Sequence, residues 1–154
     1  MVLAVALFLA SAVFVDLVGY WLHRWAHRPR SPLYRAHMTH HIINYPPKRA
    51  IGPSYQTSGA DSLIVWFAPF GFVYAATIII AGVPHPEALL LGGALTAVIS
   101  SVLHDASHLV NSLAWRLMPR RSFSHIIHHH RMSKNFGIVS GLWDLIFGTS
   151  SPER

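Results

Sequence analysis

The sequence contains no cysteine, which excludes disulfides, thiolate zinc sites, iron–sulfur clusters and a haem thiolate. Carboxylates are almost as scarce. Asp16, Asp61, Glu87, Asp105, Asp144 and Glu153 are the complete set in 154 residues. No Glu-x-x-His occurs, so neither a carboxylate-bridged di-iron bundle nor a His-Glu-x-x-His metalloprotease can be assembled. Charge is missing from the long apolar stretches as well. All twelve Lys and Arg lie between Arg24 and Arg49 or between Arg116 and Arg154. The net charge of +6 therefore reads as a positive-inside pattern, with a cytoplasmic face held against anionic membrane lipids, and not as a nucleic-acid groove.

What remains is an apolar chain. Hydrophobic residues make up 52% and charged residues 12%, the composition of a membrane protein. The expected fold is all-α: one membrane-embedded domain over residues 1–154, an integral helical bundle with about three transmembrane helices. Val2 to Leu22 is long enough to span a core of roughly 30 Å, and it runs directly into His23 and His27, which a cleaved signal peptide would not do. Ser62 to Ala81 supplies a second span, interrupted by Pro69 and Gly71, where a kink is expected. Gly82 to Pro86 forms a tight turn. Glu87 to about Val110 forms the third helix, with Pro86 and Glu87 suiting its start. His23 and His104 emerge roughly 32 and 26 Å along their helices, at the same charged side of the bilayer. Three crossings with the N-terminus outside place the histidines at the cytoplasmic side, which is the inner membrane in a bacterium. Asn44 to Ala60, rich in Pro, Gly and Ser, is a long loop that reads equally as a cap or gate and as a connector. Phe136 to Phe147 is too short to span and reads as an interfacial or packed segment.

Eleven of the twelve histidines fall into four clusters: His23 and His27, His37 with His40 and His41, His104 and His108, and His125 with His128, His129 and His130. A pair at i, i+4 or a triplet at i, i+3, i+4 lies on one helix face, so the ring nitrogens of one cluster are expected to converge on one ion. The order pair then triplet occurs twice, the only sign of internal duplication. His130 points roughly 140° away from His125 on a helix and is expected outside the site, as is His85 in the opposite-side turn. The remaining ten exceed the needs of one tetrahedral ion and suit two ions with about five ligands each. Imidazole accepts Zn, Fe, Cu and Ni alike. A binuclear site beside an apolar bundle fits iron that activates O2 against a C–H bond, with the walls excluding water.

The series His-x3-His, His-x2-His-His, His-x3-His, His-x2-His-His, followed by Lys134-Asn135-Phe136-Gly137 and by Leu142-Trp143-Asp144-Leu145-Ile146-Phe147-Gly148-Thr149, resembles the fatty acid hydroxylase/sterol desaturase superfamily from about Asp16 to Thr149. The resemblance implies an integral membrane non-haem di-iron oxygenase that uses O2 as co-substrate and two electrons from a separate reductase. It implies His23, His27, His37, His40, His41, His104, His108, His125, His128 and His129 as ligands of two iron ions, which zinc can replace in purified protein. The 154 residues are few for the superfamily, and a fused cytochrome b5-like domain is not expected. In size the chain is similar to the bacterial carotenoid ring hydroxylases of the superfamily, whereas its C-terminal motifs are more similar to the sterol and fatty acyl branch. The expected reaction is hydroxylation of a lipid-like substrate taken from the bilayer. Desaturation, which shares the first hydrogen abstraction, and a non-enzymatic metal carrier are the rival readings.

Four further residues are candidates for supporting or catalytic roles. Asp16 shares a helix face with Tyr20, His23 and His27, roughly 10 Å deeper in the membrane, and is expected to hold a ligand ring or a polar group of the substrate, or to pack. Asp105, Asn135 and Asp144 are candidates to accept the non-ligating imidazole N–H. Arg24, Arg28, Arg120 and Arg121 read as headgroup contacts, with docking of an electron donor as a second role.

Overall fold

The computed structural model describes residues 1–56 and 63–151; positions 57–62, with Asp61 and Ser62, and 152–154, with Glu153, lie outside the described residues. The fold is all-α. In chain order come α1 (Val2–Ala26), α2 (Tyr34–Thr39), a π-helical turn (His40–Asn44), a 3-10 turn (Pro47–Arg49), α3 (Leu63–Ile80), α4 (Pro86–Ser107), α5 (Leu113–Leu117), α6 (Pro119–His130) and α7 (Leu142–Ile146). The regular pairing outside helices is a single parallel bridge between Gly52 and Leu109, among the described residues.

Two helices, α1 and α4, are long and apolar enough to cross a membrane, and α3 adds a shorter apolar helix. Their outer faces carry exposed Leu9, Val13, Phe72, Ile79, Leu91, Leu95 and Val102, the surface that a helix presents to hydrocarbon and that marks the chain as membrane-associated. Pro86 opens α4 with Glu87 in the first turn, as the sequence predicts. Pro69 lies inside α3.

The principal packing is α1 against α4, with α3 against α4 beside it. Small residues make this possible. A Cβ at Gly92 would fall on the carbonyl oxygen of Phe8 and within 3.2 Å of its Cα, so the two backbones touch where no side chain fits. Without a hydrophobic drive between helices in lipid, such close approach and interhelical hydrogen bonds hold a bundle together. Ser11 supplies the latter: its Oγ donates to the Leu89 carbonyl at 2.6 Å and meets the Tyr74 hydroxyl at 2.8 Å, tying α1, α4 and α3. Gly92→Leu is expected to force α1 and α4 apart, at a cost of about 1–3 kcal/mol or more. The measurement is unfolding in mild detergent against SDS; unchanged stability would mean that the contact is not tight.

The third helix is shorter than its apolar pattern predicts. It ends at Ser107 rather than near Val110 because its last carbonyls are taken from outside: Ser112 Oγ donates to Ala106 O, Trp115 Nε1 to Ser107 O, and Gly52 N to His108 O. These bonds satisfy the orphan acceptors of a helix end and turn the chain into α5.

Candidate metal centre

The histidines converge where the ends of α1 and α4 meet α2, the π-helical turn and α6. His23, His37, His40, His41, His104, His108, His125, His128 and His129 are each at most 1% exposed. Their ring nitrogens form two groups that could each hold a metal ion: His23, His27, His37, His41 and His128, and His40, His108, His125 and His129, with the ligand atoms in each lying within 4.8 Å of one another. The two groups touch, since the rings of His41 and His129 stack at 4.1 Å.

The triplets do not each serve one group, as their spacing led us to expect. His37 and His41 join the first group and His40 the second; His125 and His129 join the second group and His128 the first. The reason is angular. At 100° per residue, positions i and i+4 differ by about 40°, whereas i+3 lies about 60° to the other side of i. A triplet wedged between two groups therefore sends its outer members one way and its middle member the other. In the first triplet the chain passes from α into a π-helical turn at His40, a local widening that recurs at functional sites.

His104 belongs to neither group by that distance, but it abuts the second. Its ring centroid is 4.6 Å from those of His40 and of His125. Its Nδ1 donates to Asp105 Oδ1 at 3.0 Å, and its Nε2 is buried without a hydrogen-bond partner. With His104 added, the groups become counterparts: each has one pair, the outer two of one triplet and the middle member of the other.

Hydrogen bonds settle which nitrogen faces inward. Nδ1 of His23 donates to Phe136 O at 2.7 Å, Nδ1 of His108 to Ala50 O at 2.7 Å, Nδ1 of His128 to Lys134 O at 2.6 Å and Nδ1 of His129 to Tyr45 O at 2.8 Å. A carbonyl accepts only, so these four rings carry their proton on Nδ1 and leave Nε2 as a bare lone pair. Nε2 of His23 and of His129 is buried with no partner. In the first group, Nε2 of His27 lies 2.9 Å from that of His128 and 2.8 Å from that of His37, which is 3.1 Å from that of His41. One N–H per nitrogen cannot satisfy this chain of contacts as hydrogen bonds. The spacing instead matches neighbouring donors around an ion at about 2.1 Å, which stand about 3.0 Å apart at right angles. The residues fit a pair of metal ions.

Burial also keeps the rings in the neutral form that ligation requires. Desolvation, reinforced by neighbouring imidazoles, holds His37, His41, His108, His125, His128 and His129 well below the ordinary histidine range, and His27 is lowered to about 4. His85 and His130 stand apart as the sequence predicts. His85 is exposed beside Glu87, and His130 is exposed at the end of α6.

Of the four supporting candidates, Asp105 touches a ring directly. Its Oδ1 accepts from His104 and, at 2.7 Å, from the Tyr55 hydroxyl. Asp144 acts through the backbone: it accepts from Phe136 N and Gly137 N, both at 2.8 Å, and from Thr149 Oγ1 at 2.7 Å, shaping the loop whose Phe136 carbonyl holds His23. Asn135, left-handed at φ 55°, links Ser124 O to Ser151 N and follows the Lys134 carbonyl that holds His128. Asp16 is placed against Ser140 Oγ and Trp143 Nε1 and accepts from both; the structure gives it no imidazole partner among the described residues.

The loop from Asn44, as far as residue 56, is a cap. Tyr45 is buried and stacks on the His108 ring at 3.8 Å, while Ala50 and Tyr45 supply two of the four carbonyl acceptors. Sequence reasoning did not assign roles to Tyr45, Ala50, Tyr55, Lys134 and Phe136. The available signals were Tyr45 beside the Pro46-Pro47 step and the Lys134-Asn135-Phe136-Gly137 motif.

Two apolar cavities border α1. One, of about 640 Å³, sits between α1, α3 and α4 and includes Val15, Val18, Phe67, Tyr74, Gly93 and Ala97. The other, of about 590 Å³, runs along the outer side of α1 from Phe14 to Arg28. Neither a search of the curated proteins nor one of the solved structures gave a match. A family profile, fatty acid hydroxylase, matches residues 8–149, a span that includes every histidine of both groups, and the chain belongs to the fatty acid hydroxylase family.

Proposed function

We propose that this chain is an integral membrane monooxygenase that hydroxylates a lipid-like substrate of fatty acyl, sterol or carotenoid type at a centre of two iron ions. The observation that carries the reading is the paired set of buried imidazoles, four of which, His23, His108, His128 and His129, have Nδ1 pinned to carbonyls and Nε2 left free to ligate. His23, His27, His37, His41 and His128 would hold one ion, and His40, His104, His108, His125 and His129 the other. Bound iron would supply the redox chemistry that couples O2 reduction to C–H oxidation. The balance is RH + O2 + 2 electrons + 2 protons giving ROH + H2O.

The protein's own share is positional. Carbonyl acceptors fix the tautomer and raise the basicity of the rings. The apolar walls between α1, α3 and α4 hold hydrocarbon and exclude water. Zinc also suits imidazole sites, so zinc in a purified sample does not count against iron. No cysteine is available for an iron–sulfur centre, and the electrons are assigned to a separate donor protein. The flanking Lys and Arg support a centre on the cytoplasmic side, by the positive-inside pattern.

The test uses iron-loaded protein in lipid with a reductase system, a host lipid extract and isotopically labelled O2. A product with one labelled oxygen, formed only when reductase and O2 are both present, is the expected result. Loss of two hydrogens without label would assign desaturation instead. Metal flux across vesicles with no oxidised lipid under any donor would replace the enzyme by a carrier.

A further inference from the structure

We propose that the ring of Phe67 is the specificity-determining partition of the substrate path, a wall that a hydrocarbon must displace to come beneath the histidines. This rests on the reading of the 640 Å³ cavity as the substrate chamber. Above that chamber lies a second cavity of about 10 Å³, lined by Asp16, Gly19, Tyr20, Ser100, Ile138 and Phe67. Phe67 is the single residue that lines both. The small space takes about one water, and Asp16, Tyr20 and Ser100 contribute polar side chains to its lining. His23 follows Tyr20 by three residues and His104 follows Ser100 by four, so the compartment sits roughly 5–6 Å below the ligand rings along both helices.

The ring is held in place from two sides. Phe67 is 6% exposed and belongs to the core cluster with Val15, Leu22, Trp66 and Ile138. On α1, a Cβ at Gly19 would lie 3.0 Å from Phe67 Cζ, so the absence of a side chain there leaves room for the ring. The polar groups lining the chamber are already engaged: Tyr74 with Ser11, and Thr77 with Val73 O. No charged residue lines it. The part of the substrate held there is therefore plain hydrocarbon, and how far it passes Phe67 decides which carbon stands under the metal pair.

The experiment uses the full chain in lipid nanodiscs and palmitic acid bearing a diazirine on its terminal carbon. After irradiation, adducts are mapped by peptide mass spectrometry, a readout independent of turnover. The unmodified protein is expected to carry adducts on chamber residues such as Tyr74 and Ala94, with few on Ser100 or Ile138. Phe67→Ala is expected to raise the share on Ser100 and Ile138 about tenfold, the scale of a changed apolar pocket. Phe67→Leu gives a smaller rise and carries the test if the alanine variant does not fold. Equal labelling on both sides of Phe67 in the unmodified protein, or no rise in either variant, would overturn the partition while leaving the chamber intact. Adducts confined to outward residues such as Phe72 and Ile79 would overturn both the chamber and the partition.

Discussion

Alanine at His40 is expected to empty one half of the metal centre, and alanine at its neighbour His41 the other half. The two residues are adjacent in sequence, yet they fall in different groups: His40 with His108, His125 and His129, and His41 with His23, His27, His37 and His128. The discriminating result comes from pairs. His40→Ala with His125→Ala should lose one ion per chain, because both serve the same group. His40→Ala with His41→Ala should lose both. His104→Ala should behave like His125→Ala, since its orphaned Nε2 and its distance from His40 assign it to the second group. Direct ligand loss should weaken the ion by more than the roughly 10–100-fold cost of removing an outer hydrogen-bond partner. His85→Ala and His130→Ala should retain two ions. Elemental analysis of metal per chain after purification in lipid reads all of these. One ion lost from the His40/His41 pair, or equal loss from His85→Ala, would refute the crossed arrangement.

The crossing also shows what could be read from residues alone. The identities of the buried histidines were legible because clustered imidazole in an apolar, cysteine-free chain has few other uses, and the exclusion of His85 and His130 followed from turn position and helix angle. Their sorting into groups was not legible. Whether a triplet faces one ion or straddles two depends on what packs on each flank, and the π-helical turn at His40 has no residue signature. The acceptors for Nδ1 were hidden for a related reason. Phe136, Lys134, Tyr45 and Ala50 contribute backbone carbonyls, which every residue possesses. The apolar helices were clear from their runs, but the end of α4 was set by donors from Gly52, Ser112 and Trp115, which come from elsewhere in the chain. Asp16 illustrates the limit of face arithmetic: it lies on the expected side of α1, and the C-terminal segment reaches it through Ser140 and Trp143.

Asp144→Ala is expected to destabilise the fold and to loosen one ion selectively, and the two effects have one cause. The carboxylate is 2% exposed and accepts two backbone N–H groups, Phe136 and Gly137, together with the Thr149 hydroxyl. Removing it leaves buried donors without acceptors, each worth about 1–3 kcal/mol, so a loss on the order of 3–5 kcal/mol follows. The same loop presents Phe136 O to His23 Nδ1. Once the loop relaxes, that ring loses its orientation, and affinity at the group containing His23 should fall by about 10–100-fold, with the group containing His40 little changed. Asp105→Ala is the converse. Its side chain is 29% exposed and it holds His104, so stability should fall little while the second group weakens. Thermal unfolding in detergent and a chelator titration that resolves the two ions separate these outcomes. If Asp144→Ala and Asp105→Ala weakened the same ion, or if Asp144→Ala left stability unchanged, neither carboxylate would have the role that its hydrogen bonds assign.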